Sequence, residues 1–385
     1  MIPDQSLSSQ GASRDSQTIT LFLCGDVMTG RGIDQVLPYP SNPRIYESYM
    51  TSAKGYVRIA EEVNGPIPKP VDFAYIWGDA LKELRRTNPD VRIVNLETAV
   101  TSSPEFWPGK GINYRMQPRN IPCITAAKID CCVLSNNHVL DWGYAGLTET
   151  LTTLTGANLK VAGAGRNLAE AEAPAIIEVA GKGRVLVFGF GDESSGIPWD
   201  WGARSNKPGA NLLPDLSGDT VRRIAKRIEG LKRKGDWVVA SIHWGGNWGY
   251  EILTAQREFA HRLIDLAQVD VVHGHSSHHP KGIEVYKGKP ILFGCGDFLN
   301  DYEGISGYEE FRGDLALMYF VTLDLATGKL ISLTMTSMQI KRFRLNYAQP
   351  DDVRWLQQTL YRESRSQGGR IELIDDCRLA LSARR

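Results

Sequence analysis

No stretch of this 385-residue sequence approaches the roughly 18 consecutive apolar residues needed to cross a bilayer, so no membrane span is expected. Net charge is missing as well. Lys plus Arg and Asp plus Glu both number 44, so no global field draws the chain to nucleic acid or anionic lipid, and any anion binding has to be local. The start of the chain is rich in Ser, Gln, Asp and Gly and lacks the apolar centre of a signal peptide, and the run from Ile19 to Cys24 is too short to supply one. The expectation is a polar, disordered tail over residues 1–17, no secretory signal and a cytoplasmic protein. Cysteine is sparse: Cys24, Cys123, Cys131, Cys132, Cys295 and Cys377 show no C-x-x-C spacing, which points to buried, reduced thiols. No solenoid-type repeat is present.

Histidine is scarce too, seven in all, yet His273, His275, His278 and His279 fall within seven positions after an apolar run. That run reads as a buried strand ending at Val272, which puts His275 and His278 on the loop beyond it, where α/β folds keep their chemistry. Imidazoles this dense cost desolvation energy unless a metal or a charged substrate uses them. Four further apolar runs end in oxygen or imidazole donors. Residues 18–24 lead into Gly25-Asp26 and a glycine-rich loop, 91–96 deliver Asn95 and Glu97, 130–134 lead to Asn136-Asn137-His138, and 237–242 are capped by His243. Taken singly, Asp26 is as well explained by a turn or helix cap, and His243 by a structural role. Five such endings together are better explained by one composite site, because sheet topology brings strand ends to one edge.

Between these runs the spacing predicts helices over residues 73–86, 143–154, 216–234, 254–266 and roughly 351–362. Further strands are predicted at 175–179, 184–190 and near Ile371, with hairpins around Lys287-Gly288 and Ala326-Thr327-Gly328. Residues 38–72 are expected to form an irregular covering segment. Residues 101–120, with Trp107, Lys110, Tyr114 and Arg115, read equally as a substrate lid or a packed surface loop. The architecture expected is a layered α/β core over 18–325, with an antiparallel strand and helix addition over 326–385 packed on the same domain.

The motifs GDVMTGRG, VNLETAV, LSNNHVLDWG, SIHWGGNWGYE, VVHGHSSHHPKGIE and GCGDFLND, in this order, resemble the calcineurin-like metallophosphoesterase superfamily. More closely they resemble its CapA branch, the capsule or poly-γ-glutamate synthesis family, over roughly residues 18–302. The resemblance implies a four-layer α/β/β/α sandwich with one or two divalent ions, Mn, Fe or Zn, at the strand ends. Under it Asp26 binds the first metal, Glu97 bridges both, Asn137, His243 and His275 bind the second, and His278 returns to the first. His138 becomes the acid beside the leaving group. Oxygen and imidazole donors without thiolates suit these ions. Arg31 and Arg115 are candidates to hold an anionic substrate group with the guanidinium fork. Three positions depart from the superfamily pattern, all at the first metal: Met28 stands where a histidine is expected, Glu97 replaces an aspartate, and GHSSH replaces GHxH.

Three functions follow as expectations. The first is a metal-dependent hydrolase of a phosphoester or of a capsule-related substrate such as poly-γ-glutamate. The second is proton exchange at an activated carbon by Asp26, His138 and His278 with one metal or none, as in a peptide or amino-acid epimerase. The third is a non-enzymatic accessory subunit of polymer synthesis. The expected ligand is an anionic small molecule, peptide or polymer, and not nucleic acid.

Overall fold

Period-two alternation decides which faces of the strands are buried, and here both are. In the computed structural model, which describes residues 17–383, Leu21, Leu23, Ile93, Val133, Val187, Val239 and Val271 share one buried core. Their chain neighbours Phe22, Cys24, Val94, Leu96 and Leu134 belong to a second core, and Leu186, Phe188, Val238, Ala240 and Val272 to a third. Strands whose successive side chains enter different cores form sheets covered on both sides, and two such sheets stacked face to face give three cores between four layers. Each fully buried Val, Leu or Ile contributes about 1.5–3 kcal/mol over an exposed one, so the inner core holds the sheets together. Of the expected polar tail, residues 1–16 lie outside the described residues.

Seven strands carry the candidate site: β1 (Thr18–Val27), β2 (Val91–Leu96), β3 (Cys131–Val133), β4 (Gly183–Gly191), β5 (Trp237–His243), β6 (Val271–His275) and β7 (Asp297–Leu299). The larger sheet runs Gly369–Leu373, Arg378–Ala383, Leu330–Ile340, Leu315–Asp324, β1, β2, β3, Lys160–Ala162, with β7 joined in parallel to the end of β1. The smaller runs Ile283–Tyr286, Lys289–Leu292, β6, β5, β4, Ala175–Val179. Within them β1, β2 and β3 are parallel, as are β4, β5 and β6. Helices Lys54–Asn64, Ala80–Thr87 and Gly143–Gly156 contribute to the outer core of the larger sheet, and Gly218–Glu229 and Thr254–Ala267 to that of the smaller. The architecture is the α/β/β/α sandwich with antiparallel carboxy-terminal strands.

Four local expectations are corrected. Residues 38–72 are not irregular throughout, since helix Lys54–Asn64 lies within them. Over residues 73–86 the helix is broken: a 3-10 turn at Tyr75–Trp77 is followed by Gly78 at φ +44°, and the α-helix begins at Ala80. A Cβ at Gly78 would lie 2.1 Å from the Leu345 carbonyl oxygen, so the chain bends where the short strand Leu345–Tyr347 meets it. The basic helix is shorter than expected, Gly218–Glu229, with Gly230 as its cap. The strand bearing the histidine cluster does not stop at Val272, because its ladder with β5 continues until His243 pairs with His275. Among the described residues all six cysteines are free and five of them are buried, and no helix is long and apolar enough to cross a membrane.

Candidate metal centre

Beyond the apolar part of each strand the same inward-facing rows turn polar. Ile93 is followed at i+2 and i+4 by Asn95 and Glu97, Val133 by Ser135 and Asn137, Val239 by Ser241 and His243, and Val271 by His273 and His275. Along β5 and β6 alternation carries His243 and His275 into the gap between the sheets, at the edge where the parallel strands end, while Glu97 lies one residue past β2 and Asn137 four past β3. β1 needs an adjustment. Leu21 and Leu23 face inward, so strict alternation would turn Asp26 outward with Phe22 and Cys24. Its ladder with β2 shifts register between Leu23 and Asp26, and such irregularities re-aim a side chain. Asp26 then accepts from the Ser276 amide at 3.2 Å, across the sheets. Gly25 makes this possible, since a Cβ there would lie 1.7 Å from the Gly296 carbonyl oxygen.

Two overlapping groups of donors result. One atom each of Asp26, His243 and His275 lies within 4.8 Å of the others, and the same holds for Asp26, Glu97 and Asp297. Asn95 donates to Asp26 at 2.7 Å, and His278 Nδ1 lies 2.9 Å from Asp297 Oδ1. The Nε2 atoms of His243 and His138 stand 3.9 and 3.8 Å from Glu97 Oε1. Three buried polar atoms here, Glu97 Oε2, Asn137 Oδ1 and His243 Nε2, have no hydrogen-bond partner among the described residues. Each buried group left unpaired costs about 1–3 kcal/mol, a cost that coordination to a cation would offset.

Electrostatics point the same way. Burial, reinforced by neighbouring Asp297, raises the Asp26 carboxyl to about 7. Burial followed by repulsion from Asp26 and Asp297 pushes Glu97 well above the carboxylate range. Burial also drives His243 and His275 far below the ordinary imidazole range, and His273 to about 4, so these rings are neutral. For His278 burial is outweighed by Asp297 and the pKa rises. Mutually repelling carboxylates beside neutral imidazoles are the donor set of a divalent cation, whose charge would keep the carboxylates ionised. The residues fit the ions expected from the sequence.

A cavity of about 790 Å³ opens at these donors, with Glu97, Asn137, His138 and His278 in its lining. Residues 38–72 and 101–120 both supply walls: Tyr49 and, from helix Lys54–Asn64, Val63 and Asn64 on one side, Lys110 and Tyr114 on the other. His138 is held by Asp141 Oδ2, 2.6 Å from Nδ1, and by its stack on Tyr114 at 3.8 Å between centroids. Lys110 Nζ lies 2.6 Å from Asp141 Oδ1, and the hydroxyls of Tyr114 and Tyr302 are 2.6 Å apart. Burial lowers the His138 pKa to about 4, although Asp141 opposes it.

The two arginines do not behave as expected. Arg31 reaches the cavity wall, but its Nε donates to Asp301 at 3.2 Å and its Nη1 to Glu47 at 3.0 Å, while the guanidinium lies over the Tyr56 ring at 3.8 Å. Arg115 is not brought to the cavity: it donates to the carbonyls of Ser103 at 2.8 Å and Asn42 at 3.0 Å and stacks on Trp142. Both forks are taken by the chain itself. Met28 is buried, and its sulfur accepts from the Gly30 amide at 3.2 Å. Asp297, Asp141 and Lys110 join the site without having been singled out as ligands or catalytic groups; for Asp297 the available signal was its place in GCGDFLND.

Residues 20–302 match the family model described as bacterial capsule synthesis protein PGA_cap. The chain is 49% identical over 354 residues to a Mycobacterium tuberculosis protein named "Probable polyglutamine synthesis accessory protein", an alignment covering 92% of this chain and 93% of that one. It is 26% identical over 305 residues to the PGA biosynthesis protein CapA of Bacillus subtilis, covering 79% and 68% of the two chains. Among solved structures, one described as a novel phosphatase of Mycoplasma pneumoniae aligns with a TM-score of 0.45 at 13% identity, over 84% of this chain and 94% of that one.

Proposed function

The chain belongs to the bacterial capsule synthesis protein PGA_cap family, and we propose that it is a metal-dependent hydrolase cleaving a phosphoester, or a related bond, in an anionic molecule of capsule-type polymer synthesis. The observation that carries this reading is the set of unpartnered buried atoms, Glu97 Oε2, Asn137 Oδ1 and His243 Nε2, of which Glu97 and His243 each share a donor group with Asp26, while Glu97 and Asn137 line one cavity. Glu97, Asn137, His243 and His275 would hold one ion, and Asp26, Glu97, Asp297 and His278 a second. Bound there, divalent cations would supply Lewis acidity to the phosphoryl oxygens and acidify a water at neutral pH.

In this reading the chain's own side chains do the remaining work. Asp141 Oδ2 accepts a hydrogen bond from His138 Nδ1–H, which fixes the tautomer and leaves Nε2 as the atom that exchanges a proton with the leaving oxygen. An anionic substrate beside Nε2 favours the imidazolium and so opposes the burial that keeps the free ring neutral. Of the paired Tyr114 and Tyr302 hydroxyls, one donates to the other and the second has a hydrogen to offer a substrate oxygen. Stripping the protein with chelator should abolish hydrolysis of an aryl phosphodiester, Mn²⁺ should restore it, and His243→Ala should cost about 100-fold or more. Turnover indifferent to both treatments would remove the basis of the assignment.

One observation favours a second reading. Met28 supplies a buried thioether engaged with Gly30 where the first metal expects an imidazole. With that position weakened, Asp26, His138 and His278 would exchange a proton at an activated carbon, and solvent deuterium would enter the substrate α-carbon; complete retention of the α-hydrogen excludes it. Metal binding with no turnover of either kind would instead mark a non-enzymatic accessory subunit.

A further inference from the structure

Behind the metal-facing histidines lies a row of buried polar groups that no step above uses. Ser241 stands opposite His273 in the ladder between β5 and β6, as His243 stands opposite His275, and all four side chains lie on the inward rows. His273 Nε2 is 2.7 Å from the Cys24 carbonyl oxygen, and His273 Nδ1 is 3.0 Å from Ser241 Oγ. Ser241 Oγ is in turn 2.9 Å from His275 Nε2, and His275 Nδ1 is 2.8 Å from His243 Nδ1. All of these residues are fully buried.

A carbonyl oxygen can only accept, and that fixes the direction of every bond in the row. His273 must carry its proton on Nε2 to donate to Cys24, so its Nδ1 is an acceptor. Ser241 therefore donates to His273, and its oxygen is left to accept from His275 Nε2–H. His275 is then bare at Nδ1, and His243, to donate there, must carry its proton on Nδ1. The open end of the row is a lone pair on His243 Nε2, the atom left without a partner beside Glu97. We propose that Ser241 and His273 are positioning residues: through this one-way chain of hydrogen bonds, anchored on the Cys24 carbonyl, they set the tautomers that turn the His243 Nε2 lone pair toward a divalent cation and keep a proton off His275 Nδ1, which accepts from His243 in the metal-free chain. The purpose of the chain rests on the metal reading; its direction does not.

The direct test is a long-range ¹H–¹⁵N spectrum of metal-free protein labelled at histidine, recorded near neutral pH. His273 and His275 should appear as Nε2–H tautomers and His243 as Nδ1–H; a His275 protonated on Nδ1 overturns the proposal. A second arm titrates Mn²⁺ by calorimetry into Ser241→Thr and Ser241→Val, two side chains of like shape of which only one has a hydroxyl. Thr should bind within roughly threefold of the wild type and Val about tenfold or more weakly. Equal affinities for the pair overturn the positioning role. If the Val variant does not fold, the wild-type spectrum alone decides. The assigned tautomers in a protein that binds no Mn²⁺ would uphold the chain and sink the metal reading.

Discussion

Asp297 is the residue whose part in the site is easiest to isolate, because it shares a donor group with Asp26 and Glu97 and is also the partner of His278. Asp297→Asn keeps the shape and removes the charge, so Mn²⁺ affinity measured by calorimetry should fall by about tenfold to 100-fold; unchanged affinity would exclude Asp297 from the centre. Met28→His makes the opposite change by returning an imidazole to the first-metal position. It should tighten the weaker ion or raise the bound metal per chain, and an identical titration curve would show that residue 28 does not face the centre. At this scale the sequence was informative where a donor follows an apolar run at even spacing, as with Glu97 after Ile93 or His243 after Val239. It was uninformative where a partner is remote in the chain. Nothing near Arg31 reveals that Asp301 takes its fork, and nothing near Arg115 reveals the carbonyls of Ser103 and Asn42.

Among the elements, β1 bears the greatest constraint, since it sits within the larger sheet and must turn Asp26 inward against its own alternation. Gly25 sits where that turn meets the backbone at Gly296, and a backbone oxygen cannot move aside as a flexible side chain can. Gly25→Ala should therefore lower stability in urea denaturation by about 1–3 kcal/mol or more and weaken metal binding at Asp26. A variant with wild-type stability and affinity would contradict the close approach at this point. The strands flanking the site were legible because apolar runs such as 18–24, 91–96 and 237–242 outweigh local ambiguity. Their ends were not: β6 continues to His275 because β5 offers it a partner, which no local pattern records. β7, three residues long, exists only by pairing with β1 from some 270 positions away, and so the carboxylate it carries could not be read from alternation.

At the scale of the whole molecule, the two sheets do together what neither does alone. The larger supplies Asp26, Glu97 and, through β7, Asp297, with Asn137 just beyond β3; the smaller supplies His243 and His275, with His278 three residues past its end. The layered class was legible from the order of apolar runs, but the way residues 326–385 join the larger sheet, with Leu330–Ile340 paired to Leu315–Asp324 and Arg378–Ala383 paired in turn to Leu330–Ile340, comes from pairing rather than local sequence. Stacking the sheets buries three carboxylates close together, an arrangement that like charges resist unless a cation offsets them. The most direct measurement is the metal content of the purified protein after saturation with Mn, Fe or Zn and removal of free ions, compared with His243→Ala and Glu97→Ala. One or two ions per wild-type chain, reduced in both variants, is the result predicted here. A wild-type chain that retains none of these metals, or variants that retain as much as it does, would contradict the assignment of this gap as a metal centre.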